Sequence, residues 1–143
     1  MTNLQDETEK IEQFVLQGLQ NFVSDKGAPT VMGIYSCPRD GWISLNFNKA
    51  KSLEQTFYNC PDFEFVEYFL LDFQNWTEEY ESDNSMWLNQ TLTYRYNLGD
   101  GDEELNIFIY NFLRNLLLKL NSKSILPNTF IQFLDSKIAE EII

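Results

Sequence analysis

The chain has no histidine, two cysteines, and neither lysine nor arginine between Ser52 and Tyr94. The missing histidine excludes His-dependent catalytic triads and His-rich metal sites. The cysteines, Cys37 and Cys60, are each followed by proline and form no C-x-x-C pair. A reducing compartment keeps such thiols free, and with no histidine to activate them they are expected to be non-catalytic. Glycine is scarce as well. Gly27, Gly33, Gly41, Gly99 and Gly101 assemble neither G-x-G-x-x-G nor G-x-x-x-x-G-K-[ST], so no nucleotide cradle is indicated. No apolar run reaches the length of a membrane span. The opening stretch MTNLQDETEK is acidic and polar, which predicts no signal peptide and a cytoplasmic location.

What is present is acid and aromatic surface. Among 143 residues the formal net charge is -12, with twelve Phe, seven Tyr and three Trp. A composition that is 43% hydrophobic predicts a folded domain rather than a disordered acidic tail, and this length fits a single domain over residues 1–143. The charge would repel free nucleic acid and anionic membrane and attract a basic protein. Nine carboxylates fall in the base-free stretch: Glu54, Asp62, Glu64, Glu67, Asp72, Glu78, Glu79, Glu81 and Asp83. Solubility alone does not ask for that, because a surface of mixed sign dissolves as well.

Periodicity organises the chain. Leu4, Ile11, Phe14, Val15, Leu19, Phe22 and Val23 recur at helical spacing, Asp6, Glu7 and Glu9 suit the N-terminal end, and Gly27 with Pro29 ends the helix. Gly18 falls on the buried side, where a strand could cross closely. The period then changes. Val31–Cys37 is β-rich, PRDG is a turn, and Trp42–Phe47 alternates with Ser44 and Asn46 between apolar residues, which predicts a hairpin. KAKSLEQTFY reads as a short helix. DFEFVEYFLLDF lacks clean alternation, but its aromatic and branched content suits a third strand, with a helix as the alternative. MWLNQTLTYRYNLG is expected to be a helix or an irregular link. Leu105, Phe108, Ile109, Phe112, Leu113, Leu116, Leu117 and Leu120 predict a helix from Glu103 with Asp102 as its cap. Pro127 is expected to open a last helix carrying Phe130, Phe133, Leu134 and Ile138. The expected fold is an α/β or α+β domain, with a small, mainly antiparallel sheet, an N-terminal helix and packed C-terminal helices.

The carboxylates could serve an enzyme, since Glu64, Glu67, Asp72, Glu78, Glu79 and Glu81 include possible acid–base pairs, but spacing places no two of them together. Asp100, Asp102, Glu103 and Glu104 miss the calcium-loop pattern, and an acidic helix start explains them. No metal or cofactor is therefore expected. Arg39 lies in the hairpin turn, and Arg95 is expected to pair with local carboxylates. Interaction remains, because aromatics among carboxylates supply both the anchors and the charged contacts of binding interfaces. Trp42, Tyr58, Tyr68, Trp76, Tyr80 and Trp87 are the aromatic candidates. Trp42 reads as core, whereas Tyr80, between Glu79 and Glu81, reads as exposed.

The hairpin MGIYSCPRDGWISLNFN behind a helix, followed by EYFLLDFQNWTEEYE with a W-x-x-E element from Trp76 to Glu79, resembles the small acidic immunity proteins of bacterial polymorphic and contact-dependent growth-inhibition toxin systems. The likeness runs over residues 5–82. It implies a non-enzymatic protein that binds one cognate basic toxin domain, often a nuclease, and blocks its active site or substrate groove. Glu64, Glu67, Asp72, Trp76, Glu78, Glu79, Tyr80, Glu81 and Asp83 are then the expected partner-binding residues. The alternatives are a DNA-mimic inhibitor of a nucleic-acid-binding protein and a carboxylate-dependent enzyme.

Overall fold

A computed structural model describes residues 2–72, 85–88, 91–95, 102–123 and 125–143, with side chains for 5–72, 103–123 and 125–143. Strand β1 (Thr2–Asn3) runs into helix α1 (Leu4–Lys26). Ile11, Val15, Gly18 and Phe22 form the buried stripe of α1, whereas Val23 turns out to solvent. Asp6 and Glu7 sit in its first turn and Lys26 in its last, as the helix dipole favours. The helix closes where Gly27 N–H donates to the Val23 carbonyl at 2.9 Å.

Strands β2 (Val31–Cys37) and β3 (Trp42–Asn48) are the expected hairpin, paired antiparallel from Val31↔Asn48 to Cys37↔Trp42. Strand β4 (Phe65–Asp72) adds to β3, which answers the open question of that segment in favour of a strand. MWLNQTLTYRYNLG holds neither helix nor irregular link where it is described. Strand β5 (Ser85–Leu88) runs into it and β6 (Thr91–Arg95) lies within it, and the two form a three-stranded sheet with β1. Helix α2 (Asp102–Leu120) follows, with Leu105, Ile109, Leu113, Leu116 and Leu117 buried; the side chain of Asp102 lies outside the described residues. A 3-10 turn (Asn121–Lys123) ends it.

The expected last helix is instead a hairpin of β7 (Asn128–Phe133) and β8 (Ala139–Glu141). Strand β7 lies parallel to β2. The main sheet therefore has the order β4-β3-β2-β7-β8, mixed but mainly antiparallel, and the molecule is one small domain of helices and sheet. No helix among the described residues is long and apolar enough to cross a membrane.

Both helices pack on one face of this sheet. Met32, Ile34, Ile43, Leu45, Phe47, Ile131 and Phe133 meet the stripes of α1 and α2 there. Helix α1 crosses the sheet so closely at Gly18 that a Cβ would run into Leu45 Cδ1 and come within 3.2 Å of Phe69. Phe22 anchors the crossing, stacked on Phe47 at 4.1 Å and edge-on to Phe65 and Tyr68.

Candidate partner-binding site

The described residues cover the other face of the sheet only in part. Its cover is the arm from Leu53 to Phe63, whose first part falls in KAKSLEQTFY, the expected short helix. Ser52 and Gln55 do exchange the reciprocal hydrogen bonds of a helix start: Ser52 N–H to Gln55 Oε1 at 2.8 Å and Gln55 N–H to Ser52 Oγ at 3.1 Å. One 3-10 turn (Glu54–Thr56) follows, and then Phe57 and Tyr58 turn left-handed at φ 60° and 51° and end it. A second such turn (Cys60–Asp62) leads the chain to β4. Leu53, Cys60 and Phe63 press onto Val31 and Phe130.

Polar side chains pin this arm. Asn48 donates to Thr56 Oγ1 at 2.9 Å and accepts from Glu64 N–H at 3.0 Å. Gln132 accepts from Cys60 N–H at 2.7 Å and donates to Asn59 Oδ1 at 2.8 Å. Burial pushes the Cys60 thiol well above the usual cysteine range, so it stays protonated. Cys37 is half-buried, and burial raises its thiol too, with Asp40 3.5 Å away.

Beyond the arm no described residue covers the face. A concavity of about 270 Å³ lies over β2, β3 and β4, walled by Tyr35, Trp42, Pro61, Val66 and Leu70, floored by Ser44 and Asn46, and flanked by Glu67 and Asp72. Trp42 is not the core residue the sequence indicated. It is half-buried on the open face, stacked on Tyr35 at 5.5 Å with the rings 10° apart. Val66 and Leu70 remain 48% and 52% exposed. Burial, followed by the neighbouring Cys60, Asp135 and Cys37, raises the Tyr35 phenol above its ordinary value, so it is neutral at physiological pH.

A bulge in β4 shapes this surface. Phe47 pairs with Phe65 and Leu45 with Phe69, so Val66, Glu67 and Tyr68 stand opposite the single Asn46. Glu67 takes φ 49°, and its N–H donates to Asn46 Oδ1 at 2.6 Å. Phe65, Tyr68 and Phe69 therefore pack inward, while Val66, Glu67 and Leu70 line the concavity. Tyr68 also donates its hydroxyl to Asp25.

The expected binding residues divide three ways. Glu67 and Asp72 are brought together at the concavity. Glu64 faces elsewhere: one carboxylate oxygen accepts the backbone N–H groups of Lys49, Ala50 and Lys51 at 2.6, 2.8 and 2.9 Å and holds the turn after β3. Burial opposes its ionisation, but those three donors outweigh it and lower the pKa. Trp76, Glu78, Glu79, Tyr80, Glu81 and Asp83 lie outside the described residues, as do the side chains of Trp87 and Arg95. Among the other aromatic candidates, Tyr58 is half exposed beside Phe57, which is 76% exposed at the tip of the arm. Sequence reasoning missed Tyr35, Val66 and Leu70 as surface residues and misplaced Trp42. The signal for Trp42 was its spacing, which puts it on the same side of β3 as Ser44 and Asn46.

No family model, no curated protein and no solved structure matches the chain.

Proposed function

We propose that the chain is an immunity protein that acts in the cytoplasm by binding a basic toxin domain, a nuclease, and keeping substrate out of its phosphate-binding groove. It catalyses nothing itself. The observation that carries this reading is the open, aromatic-lined concavity flanked by carboxylates on a molecule of net charge -12. Binding interfaces combine a desolvated apolar centre with a polar, charged rim. Tyr35, Trp42, Val66 and Leu70 supply the first and Glu67 with Asp72 the second. A nuclease is positive where it holds phosphates, so the net field of this chain accelerates the encounter and the charge on its face competes with the nucleic acid.

Co-expression with a basic toxin domain, sought first among the genes adjacent to this one, tests the proposal. The chain should restore growth and co-purify with the toxin in stoichiometric amounts. Leu70→Arg, a change at an exposed position, should fold normally yet lose rescue, because it sets a like charge against the partner. A chain that neither restores growth nor co-purifies is not an immunity protein for that domain.

A further inference from the structure

We infer that the concavity is an arginine pocket, built to take one guanidinium from the partner protein; this rests on the protein-binding reading above. The hydrogen-bonding state of its walls decides the chemistry. The floor is already satisfied. Asn46 donates to the Gly33 carbonyl at 3.2 Å and to Ser44 Oγ at 3.1 Å, and Ser44 donates to the Tyr35 carbonyl at 3.4 Å. Among the described residues, the side-chain carboxylates of Glu67 and Asp72 have no hydrogen-bond or ion-pair partner, and no lysine or arginine lines the concavity. Ionised carboxylates only accept, so the ligand must bring donors and no surplus acceptors. That describes a cation.

Register selects which cation. Asp72 is the direct cross-strand partner of Trp42, and Leu70 is that of Ser44. Direct partners in an antiparallel pair hold their Cβ atoms about 4.5–5.5 Å apart, so a flat group lying on the indole face away from Tyr35 is within reach of the Asp72 carboxylate. Guanidinium is planar, stacks on aromatic faces and offers paired N–H donors, whereas ammonium is a compact, strongly hydrated point charge. Val66, Leu70 and Pro61 give the methylene stem an apolar wall. Size agrees with a single side chain. The volume of about 270 Å³ falls just below the roughly 300–1,000 Å³ of small-molecule sites.

The test uses N-acetyl-arginine N-methylamide and its lysine counterpart, titrated against the whole protein by NMR. The arginine probe should shift the Trp42 indole N–H, the Leu70 methyls and the Asp72 amide, and should bind more tightly than the lysine probe of equal charge. Asp72→Asn and Glu67→Gln, both exposed and with their folds checked by spectral dispersion, should each weaken arginine binding about fivefold (about 1 kcal/mol). Equal response to both probes, undiminished binding by both variants, or shifts confined to other surfaces would overturn the assignment. A chain that protects against the toxin domain yet ignores arginine loses the pocket but keeps its function. One that reads arginine but never binds the toxin domain loses the immunity reading alone.

Discussion

Glu67 sits in a left-handed conformation that costs an ordinary residue about 1–2 kcal/mol, yet it lines the candidate site. The bulge requires the conformation, and the Asn46 hydrogen bond to its N–H holds it. Strain and charge can be separated at this position. Glu67→Gly should leave the melting temperature unchanged or raise it, because glycine accepts positive φ. Glu67→Val should lower it, because a β-branched side chain does not. Equal melting temperatures for the two would contradict the backbone geometry. Glu64 makes a pH-dependent contribution. Its folded pKa lies below the ordinary 4.5, so its stabilisation is fully present above that value and is lost as pH falls through the folded pKa. Glu64→Gln should therefore be less stable than the parent near neutrality, with the gap closing on acidification. Thermal melts across that range check it, and a gap that widens at low pH would refute the assignment. Neither role is legible in the sequence, where Glu64 and Glu67 are two acids of one run. A bulge and a backbone turn gave one to the surface and the other to the fold.

Legibility at the scale of elements follows how many apolar faces each element carries. Helices α1 and α2 bury one side, and β3, although buried on both faces, carries polar Ser44, Asn46 and Asn48 on the second, so period 3.6 or 2 survives in their letters. Strand β7 lies inside the sheet, with Phe130 under the arm and Ile131 and Phe133 under the helices. Apolar residues on both faces erase the alternation, and Pro127 precedes a strand as readily as it opens a helix. The irregular letters of β4 have a different origin: the bulge places Tyr68 and Phe69 both inward and breaks the count at Glu67. The arm failed as a helix because its start signal is real but is cut off by left-handed Phe57 and Tyr58. Its seat depends on Gly33, where a Cβ would come within 2.6 Å of Phe63 Cε2 and 2.8 Å of Cys60 Sγ. Gly33→Ala should destabilise the fold by about 1–3 kcal/mol through overpacking. It should also speed alkylation of Cys60, whose thiol is otherwise buried and protonated. Unchanged melting and labelling would mean that the arm is not seated on β2.

The whole molecule sets an acidic field around a sheet face that the described residues cover only in part. The excess of acid was visible in composition, but which carboxylates share a surface with aromatic anchors was not, since that depends on strand register. Trp42 and Asp72 are thirty positions apart in the chain and direct partners across β3 and β4. Association with a basic partner should slow strongly as salt rises, because screening shortens the reach of the charge. The proposed use of this face is tested most directly by an NMR comparison of the free chain with its complex with a basic toxin domain that it neutralises. It follows the Val66 and Leu70 methyls and the Trp42 indole N–H. These resonances should move on complex formation, more than those of the outward residues of α2 such as Ile107. A complex that forms while they stay in place would contradict the proposed use.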